Sequence, residues 1–405
     1  MTQEIKELKE SREFLNLLLN NINTAVLVVN EEMRIQQVNG FFKSLFGISD
    51  MEDPDLTFGQ VAGCTFSVEE SKGCGNTTNC SQCALRKNLV NVLLSQVPAD
   101  KNSLSRTFYI DGVPQEKHLE FSTRYIRFHE RPMVLVLIYD VTELTLQRMR
   151  LSEKQEQVQR DLKSAALIQK GLLPTSANCQ NGLELGWKFA PSTHVGGDIF
   201  NVLQAPGPLT ALYMVDVCGH GVAASLVAVT ISQQLQNLSC RHCGGALPLP
   251  PAAVLNELEE VFPFERFDTF FTCVYAQVDE ARGLAAVSAA GHPAPLLIKR
   301  DGTVEKIAAK GPAIGLGSYS KYEQAMVDFG PGDQILLYTD GVTEALGMDD
   351  TRFGTERLLE IAAEHGGRPP QELADAVFKA VAQFVGPIGF DDDVSIMTVR
   401  YMPAY

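Results

Sequence analysis

The chain has 405 residues, 45% of them hydrophobic and 20% charged, enough for two globular domains with separate cores. A formal net charge of −15 argues against a nucleic-acid partner, whose phosphates call for a basic footprint. No apolar run approaches the roughly 18 residues of a membrane-spanning helix, and Met1–Lys6 lacks the basic-then-apolar pattern of a secretory leader. A cytoplasmic protein without membrane association is therefore expected, in which the nine cysteines serve as reduced thiols or metal ligands rather than as a disulfide framework.

In chain order, residues 1–20 carry Ile5, Leu8, Phe14, Leu15, Leu18 and Leu19 near helical spacing, so a helix is expected first. Two strands follow, Ala25–Asn30 and Arg34–Asn39, then a helix carrying Phe41, Phe42, Leu45 and Phe46. Leu104–Ile110, Lys117–Tyr125 and Pro132–Tyr139 read as three antiparallel strands closing a sheet. Between the early helix and these strands, Cys64, Cys74, Cys80 and Cys83 lie within 20 residues in a stretch rich in Gly, Asn and Thr. A Cys-x2-Cys pair with two nearby thiols is a candidate site for zinc or an iron–sulfur cluster. A redox disulfide pair and simple burial are the alternatives.

Residues 144–172 form an unbroken helical stretch in which Leu151, Val158 and Ala165 repeat every seven residues, with Leu162 and Ile168 beside them. This is the pattern of a short coiled coil, and so of a homodimer; the alternative is a surface helix packed on its own domain. Beyond it, helices are expected over Ala223–Cys240, Pro251–Val261, Glu356–His365 and Pro370–Val385, with apolar strands between them and a Pro/Gly loop at Gly244–Pro251.

Five short segments of this second half carry the chemistry: Val195–Asp198, Asp216–Gly221, Ala290–Pro293, Thr339–Glu344 and Asp391–Ser395. Apolar runs precede two of them and follow the last. Aspartates at strand ends beside glycines are how a fold converges hard oxygen ligands on Mg²⁺ or Mn²⁺. One Asp-Gly is ordinarily a turn; four aspartate-bearing segments and a Gly-His in one domain are not coincidence. Cys218 is expected to be a small buried filler, and His220 and His292 to support the acidic cluster or to act as acids.

The order Gly-Gly-Asp, Asp-Val-x-Gly-His-Gly, Ala-Gly-His-Pro, Thr-Asp-Gly-Val-x-Glu, Asp-Asp-x-Ser resembles the stage II sporulation E type of metal-dependent, type 2C-like serine/threonine phosphatase, over about residues 165–402. Ala166–Pro174 is similar to the Ala-x-x-Ile-Gln-x-x-Leu-Leu-Pro helix that precedes the catalytic core in that family. Val38–Phe42 and Tyr139–Glu143 resemble the corresponding segments of PAS sensor domains, over about residues 14–143. The resemblance implies an α+β protein: a PAS-like sensor (1–143), a helical coiled-coil linker (144–172) and an α/β/β/α-sandwich phosphatase domain (173–405). It implies two Mn²⁺ or Mg²⁺ ions bridged by Asp216, with Asp340 and Asp392 completing the pair and Asp198 on the second-metal side. The carbonyl of Val217 stands where the wider superfamily uses glycine, and His220 belongs to the catalytic set. Counting back from Ser395 selects Asp392 from the Asp391–Asp393 run, with Asp393 beside it in the implied metal-binding set. The implied substrate is phosphoserine or phosphothreonine on an anti-anti-sigma (STAS) protein. A two-metal phosphohydrolase of a small molecule and a pseudophosphatase binding module are the alternatives.

Overall fold

The computed structural model describes residues 13–49, 55–174, 182–204, 209–240, 248–316 and 322–402. The chain divides into two units, Met1–Glu156 and Gln157–Tyr405. Residues 13–21 are helical, and the earlier part of the expected first helix lies outside the described residues, as does most of the expected loop at Gly244–Pro251.

The first unit is built on one antiparallel sheet in the order β2-β1-β5-β4-β3, comprising β1 (Ala25–Asn30), β2 (Ile35–Val38), β3 (Ala99–Ile110), β4 (Val113–Phe128) and β5 (Arg131–Asp140). Alternation along β1 buries Ala25, Leu27 and Val29 completely, so one face of the sheet meets the core. That core is aromatic: the rings of Phe42, Phe46, Phe58 and Phe108 pack with centroids 5.0–6.2 Å apart, in the tilted and edge-on geometries that ring quadrupoles favour. Asn39 organises the turn into the helix Gly40–Leu45. Its side chain accepts from the backbone N–H groups of Phe42 (3.0 Å) and Val26 (2.9 Å) and donates to the carbonyls of Leu19 and Thr24. A buried Asn thus satisfies both a helix N-terminus and the end of the central strand.

The second unit stacks two five-stranded antiparallel sheets. One has the order β13-β10-β9-β8-β7 and contains β7 (Asp198–Gln204), β8 (Leu209–Val217), β9 (Phe271–Asp279), β10 (Leu284–Ala290) and β13 (Ala325–Asp328). The other has the order β12-β11-β14-β15-β6, with β6 (Leu183–Ala190), β11 (Leu296–Ile298), β12 (Val304–Lys306), β14 (Gln334–Tyr338) and β15 (Val394–Tyr401). Helices Val222–Cys240 and Pro251–Val261 cover the first sheet, and Gly354–His365 and Pro370–Val385 the second. Strand β14 shows why its sequence is apolar at every position: Ile335 and Leu337 point into the inter-sheet core, while Leu336 and Tyr338 point into the helix layer. The alternation of strands and helices in sequence suggests βαβ units; the strands instead pair as antiparallel neighbours, with each helix pair closing an outer face. The fold is a mixed α+β protein with a PAS-like first unit and an α/β/β/α second unit.

Between them in sequence runs one helix, Thr142–Gly171, in which Gln169 is the one buried side chain. Leu151, Val158, Leu167 and Ile168 are each more than half exposed.

Replacing Asn39 by Ala removes four hydrogen bonds at a buried turn and should destabilise the first unit by about 2–4 kcal/mol. A urea midpoint for this unit that matches the wild type would show that the turn is held by packing alone.

Candidate active site

The strand ends explain where the acidic residues go. Asp198 opens β7 and Asp216 lies one residue before the end of β8, and the two stand directly opposite each other in the antiparallel register. In the second sheet Tyr338 pairs with Ile396, so the residues just beyond β14 and just before β15 emerge at that sheet's matching edge. Thr339, Asp340 and the run Asp391–Asp393 are therefore delivered to the same end of the sandwich as Asp198 and Asp216.

Asp198 lies at the bottom of this cluster, 1% exposed. Its Oδ2 accepts the hydroxyls of Thr339 (2.9 Å) and Ser395 (2.6 Å), both from the opposite sheet. Burial, then the charges of Asp216 and Asp393, push its carboxyl well above the usual range despite those hydroxyls. Asp216 sits above it, half-buried, and shares a hydrogen bond with the Asp340 carboxyl. Burial first, then Asp340 and Asp392, push Asp216 up to about 8. Asp392 is raised too, by its own desolvation and then by Asp340 and Asp393, although the Asp393 N–H donates to its Oδ1. The charged neighbours that most perturb these groups are other carboxylates, each opposing ionisation of the next.

Asp393 is employed differently. Its Oδ1 accepts the backbone N–H (2.8 Å) and hydroxyl (3.1 Å) of Ser192, and its Oδ2 the N–H groups of Gly197 (2.6 Å) and Asp198 (3.4 Å). With both oxygens occupied it pins the loop that presents Asp198, whereas Asp391 and Asp392 remain exposed. Two glycines make room for this pin. A Cβ on Gly341 would lie 2.1 Å from the Asp393 carbonyl oxygen, and one on Gly196 would lie 2.2 Å from Asp393 Oδ2. The Val217 carbonyl faces Gly197, where a Cβ would approach it to 2.6 Å.

The histidines and Cys218 separate. His220 is exposed in the glycine-flanked turn after β8. His292 is 7% exposed; its Nδ1 bonds the Thr272 hydroxyl (2.7 Å), next to Asp216 across the sheet, and its Nε2 has no partner of normal geometry. Burial holds His292 down to about 3, with the Tyr338 carbonyl only partly opposing, so the imidazole is neutral at working pH and orients rather than protonates. Cys218 is exposed, not the buried filler expected: its N–H donates to the Phe270 carbonyl, and this backbone tie turns the side chain outward.

Gln169 escaped the sequence reading as a functional residue. From the last turns of the long helix, its amide N–H donates to the carbonyls of Gly196 (2.8 Å) and Asp198 (3.3 Å), and its Oε1 accepts the Gly196 N–H (3.1 Å). The one signal for it is a polar residue inside the apolar run Ala165–Leu173.

Among the described residues, no three His, Cys, Asp or Glu side chains close around one point at coordination distance. The two candidate metal sites answer this differently. Mg²⁺ keeps several of its waters and takes one or two carboxylates, so the pairs Asp216–Asp340 and Asp340–Asp392 fit such an ion. A tetrahedral thiolate zinc or a Cys₄ cluster needs four sulfurs around one centre. Cys64, Cys74, Cys80 and Cys83 line one cavity of the first unit but do not form that cage, so the expected zinc or cluster does not fit them.

Two packed antiparallel sheets with helices outside and a carboxylate cluster at one end define the metal-dependent phosphatase fold. Residues 206–402 match the family Stage II sporulation protein E (SpoIIE), and residues 13–75 match a PAS domain family. The chain is 24% identical over 227 residues to phosphoserine phosphatase RsbP of Bacillus subtilis (strain 168), covering 55% of this chain and 53% of RsbP. It is also 24% identical over 249 residues to phosphoserine phosphatase RsbU of the same organism, covering 61% and 71%. The solved SiaA-PP2C domain of Pseudomonas aeruginosa superposes with a TM-score of 0.53 at 25% identity, over 61% of this chain and 98% of that one. The chain spans about half the length of RsbP. It carries a SpoIIE-family domain of the type 2C phosphatase fold behind an N-terminal PAS domain.

The proton on Asp216 sets a pH dependence. In the unfolded chain a carboxyl ionises above about pH 4, whereas in the folded, cation-free protein Asp216 keeps its proton up to about 8. The raised value therefore contributes stability that is full below pH 4 and lost as pH climbs through 8. The urea midpoint of the cation-free second unit should fall from about pH 5 to 8, and stabilisation by added Mn²⁺ should grow over the same window. A Mn²⁺ effect independent of pH would show that the carboxylates are not its ligands.

Proposed function

We propose that the protein is a signal-regulated phosphoprotein phosphatase that hydrolyses phosphoserine or phosphothreonine, and that its substrate is a phosphorylated anti-anti-sigma (STAS) protein. The observation that carries the activity is the convergence of Asp198, Asp216, Asp340 and Asp392 at one end of the sandwich, where the carboxylates oppose one another's ionisation. The SpoIIE family match and the phosphoserine phosphatases RsbP and RsbU support the substrate class.

In this reading Asp216, Asp340 and Asp392 would hold the cations, with Asp198 and the Val217 carbonyl beside them. Two Mn²⁺ or Mg²⁺ ions, when bound, supply charge compensation for phosphoryl oxygens and a water that is nucleophilic at neutral pH. Asp393 and Gln169 fix the Val195–Asp198 loop, His292 orients Thr272 beside Asp216, and exposed His220 meets the phosphoryl or leaving-group oxygen at the mouth. With such a substrate, the enzyme works in the cytoplasm; no helix among the described residues is long and apolar enough to cross a membrane.

The long helix supports a homodimer. Among the described residues, this thirty-residue helix buries one side chain and leaves Leu151 and Val158 more than half exposed. A second copy in parallel would cover Leu151 and Val158, one heptad apart, and would let the sensor act on the catalytic loop through Gln169.

Asp216→Asn keeps the shape of the side chain but removes the charge shared between cations. Manganese-dependent release of phosphate from a phosphoserine STAS protein should fall by roughly three decades or more. Near-normal turnover would sink the assignment. Activity on a generic aryl phosphate with none on the phosphoprotein would redirect it to a small-molecule phosphohydrolase. The dimer has its own test. Val158 is 57% exposed in the single chain, so Val158→Glu should leave the fold intact and yield a monomer by light scattering. A wild-type protein that is monomeric at tens of micromolar would leave the helix as an intramolecular connector only.

A further inference from the structure

The sensor cysteines, which do not form a metal cage, are placed for a different chemistry. Phe58, Phe66, Leu104 and Phe108 close the apolar side of the cavity lined by Cys64, Cys74, Cys80 and Cys83. The free space is about 30 Å³, room for a water or two and not for an organic ligand. Cys80 has direct polar contacts of its own. Its Sγ accepts the Gly75 N–H at 3.1 Å and the Thr77 hydroxyl at 2.8 Å. The Arg86 guanidinium is stacked on Gly75, where a Cβ would lie 2.1 Å from its nitrogen. Two hydrogen-bond donors and a cation around one partly exposed sulfur form a cradle for a thiolate. Cys74 lines the same cavity, its thiol close enough to those of Cys80 and Cys83 to feel their charge.

We propose that Cys80 is a peroxide-reactive thiolate and that Cys74 resolves its oxidised form into a Cys74–Cys80 disulfide, which makes the PAS domain a thiol redox sensor. In the first step the Cys80 thiolate attacks a hydroperoxide: an S–O bond forms, the O–O bond breaks, and the leaving oxygen takes a proton and departs as water or alcohol. Sulfur has then lost two electrons, and the peroxide has gained them. In the second step the Cys74 sulfur attacks Cys80, the S–S bond forms, the S–O bond breaks, and hydroxide leaves as water with the Cys74 proton.

The electrostatics agree with this division of roles. Burial opposes ionisation of Cys80, but the Thr77 and Gly75 hydrogen bonds and Arg86 outweigh it and hold the thiol below its ordinary value. Burial pushes Cys64 up, and burial followed by Cys80 and Cys83 pushes Cys74 up, so those thiols stay protonated when Cys80 is charged. The disulfide would close a ring within the loop 74–80 and strip Cys80 of its Gly75 and Thr77 donors. The loop also carries the Thr78 contacts to Glu70, so oxidation reaches the neighbouring helix Thr65–Glu69.

The test uses the full-length reduced protein and stoichiometric hydrogen peroxide, followed by alkylation and mass spectrometry. Cys74, Cys80 and Cys83 fall in one tryptic peptide, 73–86, between Lys72 and Arg86. Exposed Cys218 of the other unit is the internal standard. The expected result is loss of two hydrogens from that peptide, a fragmentation pattern joining Cys74 to Cys80, and faster oxidation there than at Cys218. In Cys74→Ser, a 1,3-diketone probe should trap sulfenic acid at Cys80. Thr77→Val, which removes a donor without touching a cysteine, should slow the reaction. The proposal falls if Cys80 remains reduced while Cys218 oxidises, if Cys80→Ser leaves the disulfide pattern unchanged, or if the purified chain carries one equivalent of zinc or iron on these thiols.

Discussion

A buried carboxylate accepting two hydroxyls from across a sheet interface holds the catalytic unit in register. Asp198 belongs to one sheet, and Thr339 and Ser395 to the other, so its Oδ2 joins the layers at the end where the acids gather. Asp393 repeats the device from the second sheet, binding Ser192, Gly197 and Asp198. These hydrogen bonds are withdrawn from water, where leaving a polar group unpaired is costly. Everything placed above them, including Asp216, Asp340 and Asp392, inherits its position from that joint. The same arrangement brings carboxylates close enough to oppose one another's ionisation.

The two units solve the problem of buried polarity in different ways. In the sensor, polar groups are few inside; Phe42, Phe46, Phe58 and Phe108 fill the space that a ligand would otherwise take, and Asn39 satisfies the backbone at the one turn that enters the core. At the edge of that packing four thiols line one cavity, and Cys80 meets the Gly75 N–H and the Thr77 hydroxyl. In the catalytic unit the interior polarity is retained at the strand ends and is functional.

Gln169 links the last turns of the long helix to this scheme. A fully buried amide that both donates to and accepts from Gly196 makes the loop sensitive to the rotation and axial position of the helix. Upstream on the same helix, Leu151 and Val158 are more than half exposed.

Much of this was legible in the sequence. Apolar runs marked the strands Ala25–Asn30 and Gln334–Tyr338, amphipathic periodicity marked Pro251–Val261 and Pro370–Val385, and glycine-flanked aspartates at strand ends marked the carboxylate cluster. These features are local: periodicity and turn chemistry are written in adjacent residues. The tertiary structure alone decided which acid of Asp391–Asp393 turns inward, because that depends on the register with Ser192 and Gly197, about 200 positions away. It also decided that Cys218 faces solvent, that Gln169 is buried, and that Cys80 lies against the Gly75 N–H and the Thr77 hydroxyl. Local sequence specifies what a residue is able to do; partners distant in the chain determine which of several chemically equivalent residues is desolvated, paired or left to react.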